Sequence, residues 1–367
     1  MRILNFLLYR GLVVVAVWAG CMLSGCQPAE IEQVPLKPVF FPSAPDKPRL
    51  QFLKSFSGPE DIGAARPSVF ERFILGEPET RESIAKPYGI AISEGKLYVC
   101  DTGRRMVEVL DLENRTFGYL TKDVRLMSPA NIYIDDGTKY IADPRANAVF
   151  VFDKNDTLGA ILGRELKIKP ADIVVRGQKC YVTDLIRNQV VVLDKTTGKE
   201  ITRIGKEGDG EGQFMLISDL ALDQQGNIYV TDKVKAQITK FDKSGTFLRT
   251  IGRLGDNIDE FVRPKGIAID KAGRIWVVDA ASEVAKIYNP EGQLLLFFGL
   301  PGNRPGMMNL PADIVLDYDN VELFREYAVE GAKIEFLVLV SNQFGLNKIN
   351  VYGFGSFPEQ ERQQGSE

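Results

Sequence analysis

Asp219-Leu220-Ala221-Leu222-Asp223-Gln224-Gln225-Gly226-Asn227-Ile228-Tyr229-Val230-Thr231-Asp232 decides the architecture of this chain. Two short runs of strand-forming residues flank the turn-former Gln225-Gly226-Asn227, so the stretch reads as a hairpin. Its ending recurs along the sequence as Tyr98-Val99-Cys100-Asp101, Tyr140-Ile141-Ala142-Asp143, Tyr181-Val182-Thr183-Asp184, Trp276-Val277-Val278-Asp279 and Leu339-Val340-Ser341-Asn342. Another Asp or Asn follows at Asp111, Asp153, Asp194, Asp242 and Asn289, ten residues beyond each of the first five of these endings in chain order. A repeat of roughly 40-odd residues built from strands makes a radial or linear array.

In the fourth unit strands are expected at 219–222, 228–232, 238–242 and 246–251, with Lys243-Ser244-Gly245 turning the last pair. Four-stranded units repeated radially build a β-propeller, and six units give six blades. The expected fold class is therefore all-β, with two short helical inserts. The sixth unit stops at its third strand, Lys348-Ile349-Asn350-Val351-Tyr352, whereas Arg49-Leu50-Gln51-Phe52-Leu53-Lys54-Ser55-Phe56-Ser57-Gly58 reads like the other fourth strands. That upstream segment is expected to close the ring, which removes two sheet edges.

Gly205-Lys206-Glu207-Gly208-Asp209-Gly210-Glu211-Gly212-Gln213-Phe214 and Pro264-Lys265-Gly266-Ile267-Ala268-Ile269-Asp270 resemble the repeats of the NHL propeller family. The resemblance covers about residues 49–357 and implies a fold rather than an activity.

Residues 1–25 read as a signal peptide. Arg2 and Arg10 precede an apolar stretch, 11–23, too short to span a bilayer comfortably. Leu23-Ser24-Gly25-Cys26 resembles the lipobox of bacterial lipoproteins, which implies cleavage before Cys26 and acylation of its thiol and new amino terminus; an ordinary secretory signal is the plainer alternative. Gln27 is not the Asp that retains such proteins in the inner membrane, so an outer-membrane anchor is expected, its leaflet open. Residues 26–48 carry Pro28, Pro35, Pro38, Pro42, Pro45 and Pro48 and are expected to form a polyproline II tether. Such a segment reaches ~60 Å at about 3.1 Å per residue. The propeller is expected over 49–357, as a monomer, with a disordered tail over 358–367.

A net charge of −4 over 367 residues, together with export, argues against a nucleic-acid partner. Cys100 and Cys180 lie on blades one and three, which are not neighbours, and with opposite parity relative to their strand-end Asp. Buried free thiols are expected rather than a disulfide. The chain has no His, the usual general base and commonest zinc ligand. Propeller lyases and quinone-dependent dehydrogenases similar in fold rely on a central His, so this chain cannot copy them.

Three features carry the functional expectations. The strand-end Asp residues are expected to cap their own hairpins. The position two residues after the Pro that opens most units reads Gly89, Asn131, Asp172, Asp219, Gly266 and Asp313. If those side chains point to the axis, three carboxylates and an amide converge at the channel mouth. Asn131, Asp172, Asp219 and Asp313 are then the candidate ligands for Ca²⁺ or a similar hard cation, as a metal-dependent lactonase or hydrolase would require. Backbone geometry is the alternative reason for that pattern.

The loops joining second and third strands carry Arg104, Arg105, Arg145, Arg187, Lys233 and Lys235 on blades one to four, but only Glu283 on blades five and six. They share a face with the Gly-rich connections 252–264 and 299–311, so a basic crescent suited to an acidic partner is expected there, against ordinary solvated charge. Ser68-Val69-Phe70-Glu71 resembles a capping box, with Phe70, Phe73 and Ile74 as one apolar stripe, read as a lid or a docking helix. A second insert, 319–333, is expected to hold a helix over 321–329 on the opposite face. The reading that follows is a lipid-anchored binding platform for envelope proteins or an extracellular polymer. The alternatives are a cation-dependent hydrolase and a solute sensor.

Overall fold

The computed structural model describes residues 37–64 and 83–358. The propeller unit begins at Pro38. Six antiparallel sheets follow one another in chain order around an axis, and each runs outward from its first strand. Blade one is Pro87–Ser93, Lys96–Asp101, Met106–Asp111 and Thr116–Tyr119; blade four is Ile217–Leu222, Ile228–Asp232, Gln237–Phe241 and Phe247–Ile251. Blades two, three and five repeat the pattern from Asn131–Asp135, Pro170–Arg176 and Pro264–Ile269.

Alternation along each strand sends one set of apolar side chains to each neighbouring blade. The core is therefore a ring of inter-blade layers rather than one central cluster. Tyr181, Val190 and Val192 of blade three pack with Leu220, Ile228 and Val230 of blade four, and Trp276 and Phe298 of blade five meet Phe336, Val338 and Phe354 of blade six.

The sixth blade closes the ring. Leu50–Phe56 pairs antiparallel with Ile349–Ser356, placing Leu50 opposite Phe354 and Phe56 opposite Ile349. A fifth strand, Phe40–Phe41, adds outside it through Phe41 opposite Leu50. The end of the segment read as a tether is thus part of the sheet: Phe41 packs edge-on against Tyr352 and tilted against Phe298, each 6.0 Å away. Two aromatic residues between prolines gave the stretch a reason to pair that proline counting missed.

The second insert is a 3-10 helix, Val321–Tyr327, shorter than the helix expected over 321–329. It seals the closing strand. Phe324 is buried edge-on against Phe56 at 6.1 Å, the Tyr327 hydroxyl accepts from Lys54 at 2.6 Å, and the Gln51 amide holds the Tyr327 carbonyl and the Val329 N–H. Cys100 and Cys180 are free and buried.

Candidate functional site

The strand-end carboxylates are structural. Asp232, fully buried, accepts N–H bonds from Met215 and Leu216 of the incoming loop and from Val234 and Lys235 of its own turn. Asp143 does the same for Met127, Ser128, Arg145 and Ala146. Burial opposes ionisation of Asp279, yet N–H bonds from Val262 and Arg263 and the nearby Lys286 hold its carboxyl below the ordinary range. Each of these residues ties one blade's turn to the connection that enters it.

The four candidate metal ligands do converge on the axis, but their polar atoms are already engaged. Asp172 accepts from the Asn131 amide at 2.5 Å, from its neighbour Ile173 N–H at 2.7 Å and from Leu220 N–H of the next blade at 2.7 Å. Asp313 accepts from Ile314 N–H at 2.7 Å and, across the ring closure, from Ile90 N–H at 2.9 Å. Asp219 accepts from Leu220 N–H at 2.9 Å. These side chains clasp one blade to the next.

Burial raises all three carboxyls. Asp219 is pushed well above the usual range by burial and by Asp172, to whose carboxyl it is hydrogen-bonded, so Asp219 holds the proton of that pair. Burial lifts Asp313 to about 7 against its backbone hydrogen bonds, with Asp172 adding to the rise. A hard-cation site needs ionised carboxylates with free lone pairs. In this set Asp219 carries a proton, and both carboxyl oxygens of Asp172 and of Asp313 already accept N–H bonds, an arrangement that fits a calcium ion poorly. Among the described residues, no group of three or more His, Cys, Asp or Glu is placed to hold a metal.

The glycines in the same register have a steric cause. A Cβ on Gly89 would lie 2.4 Å from Asn131 Cα, and one on Gly266 would lie 2.5 Å from Asp313 Cα. Beyond the clasp layer the channel widens into a cavity of about 490 Å³ lined by Ile92, Ile134, Val175, Leu222, Ile269 and Leu316. Arg176 and Tyr318 line its far end, where the Arg176 guanidinium is bound to the carbonyls of Asp223 and Gln224.

The expected basic crescent is sorted by the structure into spent and unspent charge. Lys235 donates to the carbonyls of Asp209, Gly210 and Gln213 at 3.0 to 3.2 Å. Arg187 is bound to Asp184 and to the Lys167 carbonyl. Arg104 donates to Ser83 O at 2.8 Å and lies 3.4 Å from the buried Glu108. Arg105 and Arg145 are exposed. The Glu283 carboxylate is taken up by Leu310 N–H.

Two features of this face lay outside the sequence reading. One is a groove of about 680 Å³ between blades two and three, with Arg125, Arg164 and Lys167 on its walls, Met127, Phe150 and Ile186 inside and no carboxylate in its lining. Arg145 and Arg187 adjoin its lining residues Ala146 and Ile186 in sequence. The other lies on the axis. Lys233 of blade four donates to the Tyr88 hydroxyl of blade one at 3.4 Å, and Lys265 Nζ of blade five sits 5.4 Å from the same ring. The position just after the opening Pro (Ile217 in blade four) reads Tyr88, Ala130, Ala171, Ser218, Lys265 and Ala312, so a Lys and a Tyr where the other four units carry Ala or Ser were the available signal. Cys26, Phe70, Phe73 and Ile74 lie outside the described residues.

The sequence model of a family described as a 6-bladed beta-propeller matches residues 165–228 and 223–295, which span blades three to five. The architecture is a six-bladed β-propeller. A protein of unknown function from Bacteroides thetaiotaomicron, 14% identical, superposes with a TM-score of 0.58 over 83% of this chain and 75% of that one. A gluconolactonase from Xanthomonas campestris, 15% identical, gives 0.55 over 86% and 97%. Regucalcin, a calcium-binding protein from Agrobacterium tumefaciens, 12% identical, gives 0.54 over 74% and 91%. At these identities the likeness is one of fold.

Proposed function

We propose that this propeller is a binding module that presents the face of its second-to-third-strand loops to an acidic partner, and that it does not catalyse. The groove between blades two and three carries the reading. Its lining holds Arg125, Arg164 and Lys167 with no carboxylate, Met127, Phe150 and Ile186 supply apolar surface, and the exposed Arg145 adjoins it in sequence. Such a surface steers an acidic partner by long-range attraction and holds it by burying the apolar floor. Ile186, Val234 and Phe344, each about half exposed at loop tips of the same face, add contact area of the kind that marks docking surfaces.

The partner we propose is an envelope or surface protein, or an acidic extracellular polymer, met by a chain anchored through a lipidated Cys26 at the outer membrane. The lipobox-like Leu23-Ser24-Gly25-Cys26 supports the anchor.

The test is cross-linking in intact envelopes with wild type and with a variant carrying Arg125→Glu, Arg145→Glu and Arg164→Glu. A partner captured by the wild type and lost by the variant is expected; equal capture by both removes the basic groove as the contact. The rival reading, a cation-dependent hydrolase like the lactonases that share the fold, needs Asp172, Asp219 and Asp313 to be released from their N–H donors.

A further inference from the structure

Tyr88 and Lys233 stand on blades one and four, opposite each other in a six-membered ring, so their contact is possible only at the axis. Lys265 reaches the same ring from blade five. Three elements distant in sequence thus deliver an aromatic ring and two ammonium groups to one point above the carboxyl clasps. Lys86, one residue before the opening Pro87, extends toward this rim from blade one, its Nζ 5.5 Å from the exposed Phe344 ring of blade six.

Lys265 is the unusual member. It is 7% exposed, and among the described residues its Nζ has no hydrogen-bond acceptor and no carboxylate, only the Tyr88 face. Every other buried lysine in the described residues is satisfied: Lys139 by Asp156 at 2.5 Å and two carbonyls, Lys286 by Asp279 and the Glu260 carbonyl. Burial, and then Lys233, Arg263 and Lys86, pull the Lys265 ammonium down to about 7. A buried cation among like charges costs stability unless something compensates it, and a single cation–π contact offsets only part of that cost.

We propose that the axial mouth on this face is a binding site for a tetrahedral oxyanion, a phosphate or sulfate group, held by Lys265, Lys233 and Lys86 beside the Tyr88 hydroxyl. Ammonium groups act as point charges toward such oxyanions. Three converging cations match a doubly charged group better than a lone carboxylate, which leaves two of them uncompensated. The Tyr88 hydroxyl, accepting from Lys233, keeps its own proton to donate to an oxyanion oxygen. The clasp layer lies beneath, so the site takes the terminal group of a ligand approaching from solvent. It is distinct from the groove between blades two and three, and either can fail without the other.

The test is thermal unfolding and titration calorimetry of the intact chain with inorganic phosphate, inorganic sulfate and a sulfated disaccharide, against sodium chloride at equal ionic strength. A ligand that binds the native state raises its midpoint saturably. Phosphate or sulfate should do so in the wild type, and Lys265→Met should weaken the affinity about tenfold or more. Lys86→Met, an exposed change that leaves folding intact, should weaken it several-fold. Arg125→Glu with Arg164→Glu should leave it unchanged, which separates this site from the groove. A response to the disaccharide alone supports the site and assigns it to the sulfated end of a polymer. A response no larger than that to chloride in all three arms, or one unaltered in both lysine variants, overturns it.

Discussion

The carboxyl of Asp313, on the last blade, accepts the backbone N–H of Ile90, on the first, at 2.9 Å. This bond joins elements more than two hundred residues apart in sequence, at the seam where a propeller would otherwise open. Asp313 also accepts from its own neighbour Ile314. Replacing it with Asn turns an amide donor toward one of those two N–H groups. Asp313→Asn should therefore lower the unfolding free energy by about 1 to 3 kcal/mol, the cost of a buried polar group left unmatched, as urea unfolding would report.

The same residue sets a pH dependence with a definite sign. Burial raises its folded-state value to about 7, from an ordinary value of 3.8. Between those limits the folded chain holds a proton that the unfolded chain releases, so stability is greatest at the acid end and falls as pH rises from about 4 to 7. Asp172 and Asp219, also raised by burial, act in the same direction. Asp313→Asn should lose less stability than the wild type between pH 5 and pH 7.5. Parallel losses would mean that Asp313 does not titrate in that window.

Gly266 tests the steric account of the missing side chains. Its Cβ would meet backbone of the next blade, Asp313 Cα at 2.5 Å and Ile314 N at 2.9 Å, and backbone cannot rotate away. Gly266→Ala should cost about 1 to 3 kcal/mol by overpacking. Gly118, with nothing within 4 Å of the position, is the control, and Gly118→Ala should change stability little.

The strand order and its closure were legible because both rest on local patterns. Turn-formers such as Gln225-Gly226-Asn227, alternating apolar runs and a recurring strand-end Asp all act over a few residues. The likeness of 49–58 to a fourth strand follows from the same alternation. Convergence of Asn131, Asp172, Asp219 and Asp313 at the axis was also legible, because the repeat assigns them one register. Their chemistry was not: whether an axial carboxylate points to solvent or to the next blade's N–H depends on a distance between blades that no single repeat encodes. The pairing of Phe40–Phe41 was hidden for a related reason, since its partner Leu50–Phe56 becomes an edge only after it has joined Ile349–Ser356. Lys265 and Lys233 belong to different units, and only ring closure sets them beside Tyr88.

Phe41 offers a direct measure of what that outer strand contributes. It touches Tyr352 and Phe298, both buried core rings. Because Phe41 itself is only partly buried, Phe41→Ala should cost about 2 kcal/mol, below the 3 to 5 typical of a fully buried ring. Removing residues 38–57 leaves Ile349–Ser356 as an unpaired apolar edge. That truncation should abolish cooperative unfolding of the whole ring and promote association through the exposed strand. A truncated chain that stays monomeric, with an unchanged midpoint, would show that closure adds nothing.

Lys265→Met carries the last prediction, in the opposite pH direction. The Lys265 ammonium titrates near 7 in the fold, against an ordinary value of 10.5, because burial and then Lys233, Arg263 and Lys86 disfavour its charge. Over that window the unfolded chain binds more protons than the folded one, so this group lowers stability at and below about pH 7 and the loss is recovered as pH rises toward 10.5. Methionine keeps the length of the side chain and removes the titration. In chloride the variant should unfold at a higher temperature than the wild type at pH 6.5, and the gap should narrow toward pH 9. If the gap were constant, Lys265 would be ionising as it does in the unfolded chain, with no uncompensated charge at the axis for an oxyanion to neutralise.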